Sequence, residues 1–301
     1  MTSTVAYNHR VTDSSPLVAG IVLVGGRSVR MGSAKAALEW HGSTLLHRTV
    51  GVVARAVDGP VLVVRAPGQS LPSLPPRVKV VDDPVAGRGP LQGIATGLAA
   101  AAGLAAVAAV CAVDLPLLHP ALLRRVVREV RADEALDVAL PVARGHAQPL
   151  AAAYRTSLAP RVAELVDSGT YRAQMLFERC RVLTLDQAAL LTDPELAAAD
   201  PRLESLVNVN TPADYQEARA RRPPVVQVQC FGALATSVDP GPRTVRAATL
   251  RAAAAAVGLA LDGSAVAVVE EVGTATHSTS DPELPLLAGD IVAFLPSDEH
   301  C

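Results

Sequence analysis

The sequence feature that most constrains the fold is the apolar run at residues 18–24, which ends on the pair Gly25-Gly26. An almost unbroken series of β-branched and aliphatic residues is typical of a strand covered on both faces, as in a parallel sheet. Two glycines allow the backbone to turn sharply there and to approach a ligand closely. The folded part of the chain is therefore expected to begin with a central strand that ends in a glycine loop.

The loop after this strand is rich in groups that bind phosphate. Arg27, Arg30 and Lys35 follow Gly26 within ten residues, so positive charges and free backbone N–H groups converge as a di- or triphosphate requires. The spacing matches neither the P-loop pattern nor GxGxxG. Only two of the 27 basic residues are lysine, Lys35 and Lys79, which favours a specific need for a compact ammonium at Lys35. An ordinary solvated loop between a strand and a helix also fits these residues.

Strand-like and helix-like segments alternate over the first two thirds of the chain. Helical spacing of apolar residues occurs at 45–57, and short apolar strands are expected at 61–64 and 78–81, on either side of a proline-rich connection. This alternation predicts an α/β fold with a Rossmann-like, doubly wound, mostly parallel sheet and helices on both faces.

Residues 94–113 form a run without a charged side chain that is long enough to resemble a membrane span. Alanine dominates the run and supplies little hydrophobic driving force, and Gly97 and Gly103 interrupt it. We therefore predict a buried helix followed by a buried strand that ends on Asp114. The formal net charge of −2 also argues against a general nucleic-acid or membrane surface.

The cysteines and the first residues together predict a cytoplasmic protein. Residues 1–16 are polar and contain no apolar segment, so we expect a disordered tail there rather than a signal peptide. The four cysteines show neither a CxxC pair nor metal-ligand spacing, which is typical of a reducing compartment. They are Cys111, Cys180, Cys230 and Cys301.

The sequence GGRSVRMGSAK at 25–35 resembles the nucleotide-binding loop of the nucleotidyltransferases, whose pattern is roughly GGxSxRMGxxK. Among them it most resembles the molybdenum cofactor guanylyltransferases. The resemblance implies the nucleotidyltransferase fold over residues 17–222. It also implies a set of nucleotide-binding residues in this loop, namely Leu23, Gly25, Gly26, Arg27 and Lys35.

A second glycine-rich connection, GRGPLQG at 87–93, precedes an alanine-rich helix. Ligands of open α/β sheets bind outside the carboxyl ends of the strands, so both glycine-rich loops are expected to face one crevice. GPLQG resembles the family's GPLxG, and Asp83 matches the acidic position ahead of it. A carboxylate there would accept from N1–H and the 2-amino group of guanine; a solvated loop residue is the alternative. The resemblance implies base and ribose contacts from Gly89, Pro90, Leu91 and Gly93.

Asp114 is a carboxylate at the end of a wholly apolar strand, a costly position unless the group lies in a cleft or binds a cation. With Leu115-Pro116 it resembles the family's D-x-P segment, which implies a ligand for Mg²⁺. Capping of a helix by Asp114 is the alternative, although His119 fits that role better. By the resemblance, the catalytic residues are Arg30, Lys35 and Asp114.

Three further segments resemble the acceptor side of the family's cleft. Gln148-Pro149 stands where many family members carry histidine and proline. Arg172 follows a glycine in a loop that opens a helix, where an anion contact and a packing role fit equally well. LVNVNTP at 206–212 resembles a specific family segment, and on an extended strand Asn208 and Asn210 would share one face.

The charged, proline-terminated segment 218–224 is the predicted boundary of a second domain at 225–301. Strands are predicted at 225–230, 265–272 and 290–295, with a helix at 247–261, which is compatible with a small C-terminal α+β domain. PLLAGDIVAFLP at 285–296 resembles the last strand of the ubiquitin-like sulfur carriers of molybdopterin synthase and implies a β-grasp fold.

The second domain departs from these carriers at its end. They terminate in Gly-Gly, whereas this sequence ends Ser-Asp-Glu-His-Cys. We therefore expect a module that stabilises the chain or docks it to other cofactor-biosynthesis proteins or molybdoenzymes, rather than a sulfur carrier.

The resemblance implies Mg²⁺-dependent transfer of GMP from GTP to the terminal phosphate of molybdopterin, with release of pyrophosphate. A phosphate monoester has a second pKa near 6, so the attacking oxygen is anionic near neutral pH and no general base is needed. The alternatives are a cytidylyltransferase of the same cofactor, a sugar-1-phosphate nucleotidylyltransferase, and a non-catalytic nucleotide-binding scaffold.

Overall fold

The computed structural model describes residues 17–24, 35–237, 241–271 and 276–297. The expected disordered tail at 1–16 lies outside these residues. Four predicted site residues of the first glycine loop also lie outside them, namely Gly25, Gly26, Arg27 and Arg30.

The first strand, β1 (Val18–Leu23), is buried along its full length, as its apolar sequence predicts. A short hairpin of β2 (Glu39–Trp40) and β3 (Ser43–Thr44) then leads into α1 (Leu45–Ala54), which packs directly on β1. Gly20 permits this packing, because a Cβ atom added there would lie only 2.2 Å from Cγ1 of Val53 in α1.

The remaining elements of the first domain alternate between strand and helix along much of the chain. The strands are β4 (Val61–Arg65), β5 (Lys79–Asp82), β6 (Val107–Ala112), β7 (Val138–Ala143), β8 (His146–Ala147), β9 (Ala151–Arg155) and β10 (Val182–Leu185). The helices are α2 (Pro90–Ala101), α3 (Pro120–Ala132), α4 (Ala159–Asp167), α5 (Gln174–Phe177), α6 (Gln187–Leu190), α7 (Pro194–Ala199) and α8 (Pro212–Arg219).

The strands form a mostly parallel sheet in the order β10-β7-β9-β6-β1-β4-β5, and β8 pairs only with β7. Along this order, β9 runs antiparallel to both of its neighbours, and all other neighbours are parallel. The side chains of β1 alternate between two cores: Val22 packs on the side of α1 and α3, and Ile21 packs on the side of α2 and α4. The predicted doubly wound α/β fold is confirmed.

The charge-free run at 94–113 is divided between α2 and β6, as predicted. Gly97 allows the helix to lie close to the sheet, because an added Cβ would be 2.6 Å from Cγ2 of Ile21. Across the described parts of the chain, no helix combines the length and the apolar character needed to cross a membrane.

The second domain contains a mixed sheet in the order β12-β11-β15-β13-β14. The central strand β15 runs parallel to β11, and the other neighbouring pairs are antiparallel. Its helix α10 packs on one face of the sheet through Leu250, Ala253 and Ala254. The elements are β11 (Val225–Cys230), α9 (Leu234–Ser237), β12 (Arg243–Arg246), α10 (Leu250–Ala256), β13 (Ala265–Glu270), β14 (Thr276–Thr279) and β15 (Ile291–Pro296).

The predicted helix at 247–261 was too long at both ends. Thr249 caps α10 by accepting from the backbone N–H of Ala252, so the helix begins at Leu250. Gly258 has a φ of +82°, a left-handed conformation that ends the helix. The short strands β12 and β14 were not predicted, because neither carries a run of alternating apolar residues.

A buried cluster of ion pairs joins the two domains. Arg55, at the end of α1, donates two hydrogen bonds to the carboxylate of Asp290 at 2.7 and 2.9 Å. Arg124 of α3 donates to Glu271 at 2.9 Å, and the guanidinium of Arg55 lies 3.6 Å from the same carboxylate. The side chains of Arg55, Asp290 and Glu271 are only 4%, 2% and 6% exposed. Charges buried to this extent require their partners, so the cluster fixes how the domains dock.

A second set of contacts surrounds the ion pairs. Ser43 donates to Glu283 at 2.9 Å, and Nε2 of His47 lies 2.9 Å from Asp281. Gly51 of α1 packs so closely against Pro285 that an added Cβ would lie 2.4 Å from the proline Cδ. The docking surface therefore includes the hairpin β2–β3 and the outer face of α1.

We expect the Arg55→Ala variant to lose about 3–5 kcal/mol of unfolding free energy, because it leaves the buried carboxylate of Asp290 without its cation. Urea unfolding followed by circular dichroism measures this loss. The control is Arg221→Ala, which removes the exposed pair with Glu204 and should cost less than about 1 kcal/mol. Equal losses in the two variants would contradict a structural role for the buried cluster.

The contact of His47 with Asp281 makes domain docking dependent on pH. Burial disfavours the protonated ring, but the hydrogen bond to Asp281 and the charges of Asp281 and Glu283 outweigh it and raise the pKa of His47. A folded pKa above the unfolded value of about 6.5 contributes stability that is present below that pH and is lost as pH rises through the folded pKa.

We therefore expect the stability difference between the unmodified chain and His47→Gln to be largest near about pH 5.5 and to shrink towards about pH 8.5. Denaturant unfolding at a series of pH values measures it. His146→Gln, at an exposed histidine, controls for the general effect of removing an imidazole. A stability difference that grows with pH would show that the predicted pH dependence of the His47 contribution to stability is wrong.

Candidate active site

A cavity of about 320 Å³ opens at the carboxyl edge of the first sheet. The ends of β1, β4 and β6 form one side, and the segment 87–93 at the start of α2 forms the other. This is the crevice expected for an open α/β sheet, outside the carboxyl ends of its strands. Seven predicted site residues line the cavity, namely Leu23, Lys35, Asp83, Gly89, Pro90, Gly93 and Asp114.

Three residues from distant parts of the chain meet at the cavity. The ammonium of Lys35 lies 3.2 Å from Oδ2 of Asp114 and 3.1 Å from Oδ1 of Asn210. The side chains of Lys35 and Asp114 are 17% and 25% exposed, so the pair is partly shielded yet accessible. A lysine ammonium has three N–H donors, and these contacts use two of them. Within the described part of the chain this ammonium has no further acceptor, which leaves the third donor for a ligand.

Backbone contacts hold Asp114 and Asn210 in register. Asp114 follows β6, and its carbonyl accepts from the backbone N–H of Val209 at 2.9 Å. Thr211 and Asp214 form a capping box at the start of α8, and Asp214 also accepts from the N–H of Asn210. The cap of α8 thereby fixes the backbone that carries the Asn210 amide next to Lys35.

The segment 207–210 is not the strand that the sequence pattern indicated. Its described backbone N–H groups donate to Glu204, to Asp114 and to the cap of α8 instead of to a neighbouring strand. The predicted alternation is nevertheless present, since Asn208 and Asn210 are exposed and Val209 is buried. Asn210 reaches Lys35, whereas no contact of the Asn208 side chain with the cavity is described.

Asp83 lies at the opposite side of the cavity, directly after β5. Its Oδ1 atom accepts from the hydroxyl of Thr96 at 2.7 Å. Burial raises the pKa of Asp83, and the hydrogen bond from Thr96 acts in the opposite direction. The carboxylate is thus half-buried and accepts a hydrogen bond from the helix behind it. These contacts disfavour the alternative that Asp83 is a solvated loop residue.

Two glycines of the second loop pack closely against neighbouring residues. Gly89 has a φ of +78°, and a Cβ added there would lie 3.2 Å from the carbonyl oxygen of Tyr171. A Cβ at Gly93 would lie 3.2 Å from Cδ1 of Leu23. Leu91, by contrast, is fully buried beneath the sheet with the residues of α4 and does not line the cavity.

The predicted acceptor residues lie around the cavity rather than in it. Gln148 donates to the carbonyl of His146 at 3.3 Å, and the carbonyl of Pro149 accepts from the hydroxyl of Tyr154 at 2.8 Å. Both residues precede β9, and the next residue, Leu150, lines the cavity. Arg172 is exposed on the loop that approaches Gly89.

Arg88 and Thr96 were missed by the sequence analysis. Arg88 lines the cavity, and its guanidinium stacks over the ring of Tyr171 at 5.6 Å from the centroid. The only signal for Arg88 was a single arginine between two glycines. Nothing in the alanine-rich helix distinguished Thr96, because its contact depends on the position of Asp83 across the fold.

The two oxygen atoms that accept hydrogen bonds from Lys35 are also suitable ligands for a divalent cation. Asp114 supplies a carboxylate and Asn210 an amide oxygen, both hard ligands of the kind that Mg²⁺ prefers. Within the described ranges, no cluster of three or more histidine, cysteine or acidic side chains could hold a metal ion. This set fits a cation that arrives with substrate phosphates, which usually complete the shell of Mg²⁺.

Comparisons with known proteins agree with this architecture. Residues 20–184 match the family model described as the MobA-like NTP transferase domain. A Mycobacterium avium protein named "Probable molybdenum cofactor guanylyltransferase" is 40% identical over 215 residues, which cover 70% of this chain and 100% of that protein. A Mycobacterium tuberculosis protein with the same name is 41% identical over 179 residues, covering 58% of this chain and 86% of the relative.

Solved structures show a similar fold. Molybdopterin-guanine dinucleotide biosynthesis protein A from Archaeoglobus fulgidus has a TM-score of 0.53 and 22% identity, covering 67% of this chain and 96% of its own. The 4-diphosphocytidyl-2C-methyl-D-erythritol synthase from Anaerococcus prevotii has a TM-score of 0.50 and 13% identity, covering 68% of this chain and 95% of its own. At these identities the likeness concerns the fold alone.

The mostly parallel sheet, in which β9 runs antiparallel to both of its neighbours, and the cavity at its carboxyl edge define a protein of the nucleotidyltransferase fold class. The match to the family model extends over more than half of the chain, and the M. avium relative is covered along its whole length. The chain belongs to the MobA-like NTP transferase family.

Proposed function

We propose that this protein is a molybdenum cofactor guanylyltransferase, which transfers GMP from GTP to the terminal phosphate of molybdopterin. The observation that carries the proposal is the meeting of Lys35, Asp114 and Asn210 at one end of a cavity whose other side presents Asp83. The names of the mycobacterial relatives support the same reaction. The nucleotide would lie with its base towards Asp83 and its phosphates towards Lys35.

The reaction requires positioning and charge neutralisation more than proton transfer. An anionic oxygen of the terminal phosphate attacks the α-phosphorus of GTP, and the bond from this phosphorus to the bridging oxygen breaks. Pyrophosphate then leaves with the electron pair of that bond. Because the attacking oxygen is already anionic near neutral pH, no side chain has to remove a proton. This agrees with the absence of a general base from the proposed set.

Lys35 would neutralise charge that develops on the phosphates while Asn210 and Asp114 hold its ammonium in place. A divalent cation, proposed to be Mg²⁺, would be held by Asp114 and would supply Lewis-acid stabilisation. Arg27 and Arg30 are proposed as further phosphate ligands from the sequence resemblance. Gly89, Pro90 and Gly93 line the cavity, and we propose that they contact the base and ribose.

The acceptor is proposed to enter between the exposed asparagines and the loop of Arg172. Asn208 and Asn210 are both exposed, and they supply amides that donate to phosphate. Arg172, on the exposed loop next to Gly89, would add a positive charge. Gln148 and Pro149 are proposed to form the part of this pocket that leads to Leu150.

The second domain, proposed to span residues 225–301, is proposed to be a β-grasp module that stabilises the first domain at 17–222. Its strand order, with β15 at the centre and parallel to β11, supports this interpretation. The buried ion pairs of Arg55 and Arg124 support a stabilising role, since a transiently attached module would leave these charges unpaired.

A second candidate function is cytidylyl transfer on the same scaffold. The A. prevotii neighbour indicates that the fold also occurs in a protein of cytidylyl chemistry. Asp83 favours guanine, because an ionised carboxylate only accepts hydrogen bonds and guanine offers two adjacent N–H donors. Cytosine offers only its 4-amino group next to an acceptor nitrogen.

We expect Lys35→Ala and Asp114→Ala each to reduce turnover by about 100-fold or more, since each removes preorganised charge from the transferring phosphate. Steady-state formation of the guanylylated cofactor measures this loss. Lys79→Ala is the matched control, because it removes the chain's other lysine from an exposed position on β5. Full activity of either site variant would refute the proposed catalytic set.

Nucleotide preference tests the proposal without molybdopterin. Thermal unfolding is followed with Mg²⁺ and, separately, GTP, CTP, UTP, ATP and dTTP. Ligand at about a hundred times its dissociation constant adds roughly 2.7 kcal/mol to the unfolding free energy. We expect GTP to stabilise most and the shift to disappear in Asp114→Ala. Preference for CTP would indicate that the substrate is CTP rather than GTP. No response to any nucleotide would contradict the proposed enzymatic activity.

A further inference from the structure

Two residues behind the cavity control the orientation of Asp83. The hydroxyl of Thr96 lies 2.7 Å from Oδ1 of Asp83, and the amide nitrogen of Gln92 lies 3.3 Å from the same hydroxyl. Gln92 and Thr96 are one turn apart on α2, the helix that begins at the cavity. The aspartate belongs to a loop after β5, yet its carboxylate is held by this separate and rigid element.

The two hydrogen bonds that link Gln92, Thr96 and Asp83 have a fixed direction. A hydroxyl carries one hydrogen, and an ionised carboxylate only accepts, so Thr96 donates to Asp83 and accepts from Gln92. The reversed amide of Gln92 would place its oxygen against the Thr96 oxygen, whose hydrogen already points to Asp83. Gln92 is only 4% exposed, so water cannot freely replace it.

The contact with Thr96 leaves most of the carboxylate available. Each carboxylate oxygen accepts two hydrogen bonds, and Thr96 occupies one position on Oδ1. Among the described residues, no side chain donates to Oδ2. Both oxygens can therefore still receive a pair of parallel N–H donors from the cavity, while the contact with Thr96 restrains rotation of the carboxylate.

We propose that Gln92 and Thr96 are positioning residues that orient Asp83 towards a base with two adjacent N–H donors, and so set the preference for guanine. The inference rests on the proposed guanylyl transfer and adds the residues that determine its selectivity. Thr96 has a second effect in the same direction: burial raises the pKa of Asp83, and the donated hydrogen bond opposes this and favours the accepting, ionised form.

The test compares the affinity of the full-length protein for GTP and for inosine triphosphate, which lacks the 2-amino group. Titration calorimetry with Mg²⁺ gives both dissociation constants for the unmodified protein, Thr96→Val, Thr96→Ser and Gln92→Leu. We expect the unmodified protein to prefer GTP by roughly 10-fold or more, as loss of one well-placed hydrogen bond to a charged group implies.

Thr96→Val should reduce this preference to about 3-fold or less, and Thr96→Ser should restore it, because serine supplies the same hydroxyl. Gln92→Leu should give an intermediate preference, since the contact from Thr96 to Asp83 remains. The control is Thr156→Val: this buried hydroxyl donates to the carbonyl of Ala105 at 2.6 Å, away from the cavity. The control should keep the full preference even where its thermal stability falls.

The result that overturns the inference is a Thr96→Val variant that folds and retains the full preference for GTP. An unmodified protein that binds GTP and inosine triphosphate equally would also overturn it, while leaving guanylyl transfer intact. A protein that binds no nucleotide would remove the proposed function and the inference together. If Thr96 had only a structural role, its replacement would weaken the binding of GTP and inosine triphosphate alike and leave the ratio of their dissociation constants unchanged.

Discussion

The structure depends on the burial of β1 on both faces. A strand in this position needs helices above and below it, and the two cores on either side of Ile21 and Val22 supply them. The parallel pairing of β1 with β4 and β6 brings the carboxyl ends of the three strands to one edge of the sheet. Asp114 emerges there from the neighbouring β6, and Lys35 returns to meet it at 3.2 Å. The candidate site is thus a consequence of how the central strand is covered and paired.

The elements that could be predicted from the sequence are those in which an apolar run ends abruptly at a glycine or a polar residue. The run at 18–24 and the boundary from alanine to Asp114 identify β1 and the end of β6 without further information. The contact of Lys35 with Asn210 could not be predicted from spacing, because the two residues are 175 positions apart. The strands β12 and β14 were missed because each is short, polar and at an edge of its sheet. Resemblance, rather than pattern, singled out Asn210.

Buried charges were the least predictable feature of the molecule. Arg55 and Asp290 look like ordinary surface residues in the sequence, and only the docking of the domains makes them interior groups. The same holds on a smaller scale for Thr96 and Gln92, which lie within an alanine-rich helix. In both cases the sequence around each residue alone does not indicate that the side chain is buried beside a polar partner. A polar group that is satisfied only by tertiary contact has to be found in the structure.

The second domain and the cavity use different residues of the first domain. Ser43, His47, Gly51 and Arg55 contact the second domain, and none of them lines the cavity. The second domain docks on α1 and α3, which cover one face of the sheet, whereas the cavity lies at the carboxyl edge of that sheet. A small substrate can therefore enter the cavity while the two domains remain docked.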